Sequence, residues 1–147
     1  MDDRARGATD LLAAMHRAGK AFRTFGYAQF LAHQSVTWQY LGGIGRAGEP
    51  FTTVGVSFQL HDKINRWVSL GVGLWARDGE FQVEGDAMVD DPLPTRGGGA
   101  NQRFLRDPPT VHTADLDEAI EAVERLTAEF CAYESVLDDL GVPRTDG

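Results

Sequence analysis

The sequence predicts an α+β fold: an N-terminal helix, a four-stranded antiparallel β-meander, a long loop, and a long C-terminal helix packed on one sheet face. Three observations predict it. An apolar stripe at helical spacing runs through residues 10–25, four runs between residues 36 and 89 alternate with period 2, and a second helical seam runs from Leu116 to Leu140.

In the first helix Leu11, Met15, Ala18, Phe22 and Phe25 follow one another at steps of 4, 3, 4 and 3, which places them on one face. Thr9 or Asp10 supplies an N-cap, and Gly26 is a natural stop. Lys20 and Arg23 stand in the last turns, where the helix dipole favours cations.

The strands follow. Val36, Trp38 and Tyr40 form the first alternating set, and the glycine-rich loop 42–50 leads to Val54, Val56, Phe58 and Leu60. Val68, Leu70, Val72, Leu74 and Ala76 form the third set, and Phe81, Val83, Ala87 and Val89 the fourth. Asp78-Gly79 is a two-residue hairpin signal, because a type I′ turn needs positive φ at both central positions. It pairs Leu74 with Val83 on the core side and Gly73 with Glu84 on the other. Matching faces on the preceding hairpin then sets Ser57 beside Gly71 and Gly55 beside Gly73.

Residues 90–112 carry Pro92, Pro94, Pro108 and Pro109 around Gly97-Gly98-Gly99 and show no period, so a long loop is expected. Beyond it, Asp115 and Glu118 have capping-box spacing. Leu116, Ala119, Val123, Leu126, Phe130, Tyr133, Leu137 and Leu140 then step as a heptad seam that Gly141 and Pro143 end. One helix of that length spans ~40 Å. The 147 residues are expected to make a single domain, with 1–8 and 142–147 flexible.

Charge is segregated. The net charge is −8, and residues 113–140 hold nine acids against Arg125 alone, so this segment accounts for all of it. Such a balance speaks against nucleic acid as a partner, since phosphate contacts need clustered Lys and Arg. The regular seam and its acids require a complement. The first helix offers one through Arg17, Lys20 and Arg23, within one chain or across a homodimer. No apolar run is long enough to span a membrane. The lone Cys131 and an N-terminus without signal-peptide character lead to an expected cytoplasmic setting.

Chemistry-bearing motifs are sparse. His16, His33, His61 and His112 show no metal spacing, Cys131 reads as a packing residue, and no nucleophile elbow, P-loop or zinc-protease pattern occurs. No catalytic residue, metal or cofactor is therefore assigned. Two candidate sites remain. One is the sheet face opposite the core, a floor of small residues including Gly71 and Gly73, bounded by Trp67 and Trp75, with Glu84 and Asp86 at one side. The other is an anion site at Arg96, Arg103 and Arg106 in the long loop.

In its order of elements the chain resembles the small helix-and-meander folds of secretion-chaperone-like and immunity-type binding proteins. The expected function is a non-catalytic cytoplasmic protein-interaction module that forms a homodimer, with another protein as the alternative partner. The alternative is a small-ligand binder or enzyme using the glycine- and tryptophan-lined face or the Arg96–Arg106 loop.

Overall fold

A computed structural model describes residues 3–30, 36–44, 51–61, 65–92, 100–105, 107–133 and 136–141. The elements are α1 (Asp3–Phe30), β1 (Val36–Ile44), β2 (Phe51–Leu60), β3 (Trp67–Arg77), β4 (Glu80–Pro92), β5 (Ala100–Phe104), β6 (Thr110–Thr113), α2 (Leu116–Cys131) and α3 (Val136–Asp139). The chain has the expected α+β architecture: β1 to β4 form an antiparallel meander, and α1 and α2 pack on one sheet face.

The expected alternation is what divides the faces. Val56, Phe58, Val68, Leu70, Val72, Val83, Ala87 and Val89 are all fully buried and face the helices. Met15, Ala18, Phe22 and Phe25 of the predicted α1 stripe are buried with them. At the turn, Asp78 has φ 52° and Gly79 φ 77°, and Leu74 pairs with Val83 as expected. Replacing Gly79 with Val should lower stability by about 1–2 kcal/mol, because Cβ crowds the carbonyl at positive φ. Chemical denaturation measures this, and an unchanged midpoint would mean the turn is not of this type.

Four expectations are corrected. Residues 90–112 are not one loop, because 100–104 and 110–113 are the strands β5 and β6. Strand β4 is 13 residues long, and β3 covers only one of its edges. On the other edge β6 pairs with Phe81–Glu84 and β5 with Met88–Pro92. The bonds Gly85 N–H to Pro109 O and Leu105 N–H to Ala87 O bridge the gap between them. An open ladder edge is thereby satisfied. The glycine-rich centre, 93–99, lies outside the described residues.

The second correction concerns α1, which runs from Asp3 through Gly26 to Phe30, so residues 3–8 are helical and Gly26 is no stop. Gly26 is buried, and tertiary packing outweighs its poor helix propensity. The terminal stretch 142–147 lies outside the described residues.

Third, the C-terminal helix is broken. α2 ends at Cys131, with the Ala132 amide donating to Ala128 O and the Tyr133 amide to Phe130 O, and α3 is a separate turn. The break folds Val136 and Leu140 back into the same core as Phe130. Gly141, at φ 75°, donates to Asp138 O and closes α3 as a C-terminal glycine does. The Arg66 guanidinium donates to Leu140 O at 2.8 Å.

Fourth, β2 and β3 are shifted by two residues from the expected register: Gly55 faces Gly71 and Ser57 faces Ser69. A shift of two keeps every side chain on its face, so the hydrophobic pattern allows both registers. The connection selects one, with Asn65 at φ 52° and Leu60 N–H bonded to Arg66 O.

The helices are neighbours, as expected from their stripes and complementary charges. They run parallel: a Cβ on Gly7 would touch Leu116, and Arg17 forms an ion pair with Glu124 further along. Both partners are about half exposed (57% and 49%), so the pair is worth about 0.2–1 kcal/mol. Changing Arg17 to Glu should lower the melting temperature at low salt, with added salt closing much of the gap. A salt-independent difference would assign the loss to packing. At the head of α2, the Asp115 carboxylate accepts from the amides of Asp117 and Glu118, the expected cap. The Thr113 hydroxyl donates to the Glu118 carboxylate and accepts from Asp115 N–H.

Candidate functional site

With both long helices on one face, the opposite face of the sheet presents the odd residues of β2 and β3 and the even residues of β4. Strand β3 supplies Trp67, Ser69, Gly71, Gly73 and Trp75, and β4 supplies Gln82, Glu84, Asp86, Met88 and Asp90. The expected pairs Gly73–Glu84 and Gly71–Asp86 are present, so the carboxyls stand beside the glycine floor. Trp67 and Trp75 bound it at opposite ends of β3, Trp67 being 42% exposed and Trp75 half-buried.

The glycines have a structural cause. A Cβ on Gly55 would lie 2.0 Å from Leu70 O and 2.6 Å from Gly71 Cα, and one on Gly71 would lie 2.7 Å from Val54 O. The backbone they admit is that of the neighbouring strand. The floor is flat because β2 and β3 approach closely there, and it is the side chains around it that confer chemistry.

Glu84 and Asp86 are brought together. Burial, then a hydrogen bond with Glu84, then the Glu84 charge push the Asp86 carboxyl from its ordinary 3.8 up to about 7. Gln82 Nε2 donates to Glu84 Oε2 at 3.4 Å, extending the polar row along β4. Because the folded Asp86 pKa is raised, the folded chain binds a proton that the unfolded chain lacks between about pH 4 and 7. That contribution to stability is fully present below the unfolded value and is lost as pH rises through about 7. Asp86→Asn should therefore match the wild type near pH 4 and exceed it by roughly 1 kcal/mol at pH 8, a figure discounted for the half-open carboxyl. Denaturation at the two pH values measures the difference, and equal curves at pH 8 would contradict the shared proton.

The structure adds residues that the sequence did not single out for a site. Phe104 of β5 pairs with Met88 and is 48% exposed. Met88 is thus flanked by Phe104 on one side and, diagonally, by Trp67 on the other. Strand β6 brings His112 opposite Gln82, at a depression of about 360 Å³ that Trp75 also lines. Phe104 and His112 sit in the segment without hydrophobic period, and their only sequence signal was an aromatic residue and an imidazole amid prolines and glycines. Met88 falls on the polar parity of β4, where it is an apolar exception.

Of the anion-site residues, Arg96 and Arg106 lie outside the described residues. Arg103 is exposed and pairs with Val89, which places it on the helix side of β5. Burial raises the Cys131 thiol to about 11, as expected of a packing residue. Among the described residues, no helix is long and apolar enough to cross a membrane. Comparison with protein-family models gives no match, and comparison with curated proteins gives none.

Proposed function

We propose that the chain is a non-catalytic protein-interaction module that docks its partner on the sheet face opposite α1 and α2, helix-free among the described residues. It would work in the cytoplasm, the compartment that its lone cysteine fits. The observation that carries this reading is the placement of two large exposed side chains, Trp67 and Phe104, on either side of Met88. Aromatic residues and methionine are enriched at interfaces, and tryptophan is prominent among the residues that dominate binding energy.

A homodimer was one way to cover the acidic C-terminal seam, but α1 occupies that role within the chain. The face itself carries Glu84, Asp86 and Asp90, so two copies set face to face would oppose acid to acid. The partner proposed is therefore a different protein.

The test replaces Trp67 and Phe104 with Ala together and compares affinity capture from the source cell with that of the wild type. Partner recovery should be abolished while the melting curve stays nearly unchanged, as is usual for exposed substitutions. Equal recovery would contradict the reading. A second reading, a small-ligand binder or enzyme, is favoured by the Asp86 carboxyl at about 7 beside Glu84, which suits acid–base exchange near neutrality. Native mass spectrometry of the purified protein separates the two, since a co-purified small molecule released by Glu84→Gln would favour the second.

A further inference from the structure

We propose that the helix-free face receives an extended cationic segment of a partner protein, with the pattern basic, any residue, apolar, any residue, basic. In this arrangement one basic side chain enters between Glu84 and Asp86. The apolar one lies over Met88 between Trp67 and Phe104, and the second basic one meets Asp90. The inference rests on the interaction reading and names the chemistry of the partner.

The spacing comes from the sheet. Alternate residues of β4 face the same way, so Asp86, Met88 and Asp90 follow one another at roughly 6.8 Å per step. An extended segment laid along β4 presents its own side chains at the same period. An acid, apolar, acid row therefore reads basic, apolar, basic on the partner. The walls fit one such strand: Trp67 on β3 and Phe104 on β5 stand two strands apart, roughly 10 Å across the sheet, with Met88 between them.

The charges fix the sign. In the middle of this face β2 and β3 supply neutral residues, and Arg77 stands at the hairpin end, opposite Glu80. The acids of β4 are therefore met by no cation of their own sheet partners at their register positions. Asp90 has a carboxyl oxygen that is buried and has no donor among the described residues, an acceptor left unsatisfied. Between Glu84 and Asp86 a Lys or Arg side chain replaces the shared proton, exchanging one positive partner for another. Trp67 lies within a side chain's reach of the second basic group, since it pairs with Asp90, and an indole face attracts a cation. Nucleic acid and anionic lipid surfaces are repelled by the same row.

The experiment measures binding of three fluorescent peptides to the full chain. Their cores are Lys-Thr-Leu-Thr-Lys, Glu-Thr-Leu-Thr-Glu and Lys-Thr-Ser-Thr-Lys. The first should bind at least tenfold more tightly than the other two, and more weakly as salt rises. Glu84→Gln combined with Asp86→Asn should weaken it about tenfold, and Trp67→Ala should do the same, with melting curves confirming that each variant is folded. Equal binding of the Glu peptide, or no binding of the Lys-Leu-Lys peptide at millimolar concentration, overturns the inference. In either of those cases, loss of partner capture in the Trp67 and Phe104 double variant would still support the broader interaction reading. Unchanged capture would remove both.

Discussion

Replacing Phe130 with Ala is expected to lower stability by about 3–5 kcal/mol, the range for a fully buried aromatic ring. Phe130 is 0% exposed, and its ring lies where a Cβ on Gly85 would be, at 2.3 Å from Cε2. The glycine is thus a socket in β4 that seats α2 on the sheet. Gly85→Val alone should cost about 3 kcal/mol by overpacking. In the Phe130→Ala background the added valine fills part of the hole, so its cost should shrink or change sign. Urea denaturation of the two single variants and the double variant measures this coupling. Strictly additive losses would mean that the ring does not occupy the space above Gly85.

Gly55→Ala is the second large effect, expected to cost about 3 kcal/mol although it adds a single methyl group to a strand. Ordinarily alanine in a strand is tolerated better than glycine. Here the new carbon would lie 2.0 Å from a backbone oxygen of β3, so the strands must separate to admit it. Thermal melting beside Gly79→Ala, which adds only the strain of positive φ in open space, should show the larger loss at Gly55. A Gly55→Ala variant as stable as the wild type would show that β2 and β3 do not approach so closely.

Both effects depend on register, where the sequence was only partly legible. Parity was clear, since Val54, Val56, Phe58 and Leu60 could point only one way, and so was the Asp78-Gly79 hairpin, whose turn chemistry is local. The offset between β2 and β3 was not, because a shift of two residues changes no side chain's face and the deciding bond, Leu60 N–H to Arg66 O, belongs to the connection. Strands β5 and β6 left no periodic signal. They form because β4 outruns the cover given by β3 on a single edge, a tertiary demand that residues 100–104 and 110–113 do not announce locally. The heptad seam of the C-terminal segment did mark its buried residues, yet it could not reveal the break after Cys131, since Val136 and Leu140 reach the same core by folding back. For the site, Trp67, Glu84 and Asp86 came from parity alone. Phe104 required the unseen strand, and with it the apolar anchor beside the carboxyls.

The most direct test of the proposed docking face is hydroxyl-radical footprinting of the chain alone and bound to any protein it captures from its own cell. Four exposed large apolar residues serve as internal reporters: Trp67 and Phe104 on the sheet side, and Leu12 and Tyr27 on α1. Docking on the helix-free face predicts that Trp67, Met88 and Phe104 lose reactivity in the complex while Leu12 and Tyr27 keep theirs. Protection of Leu12 and Tyr27 with Trp67 and Phe104 unchanged would place the partner on the helices and contradict the account.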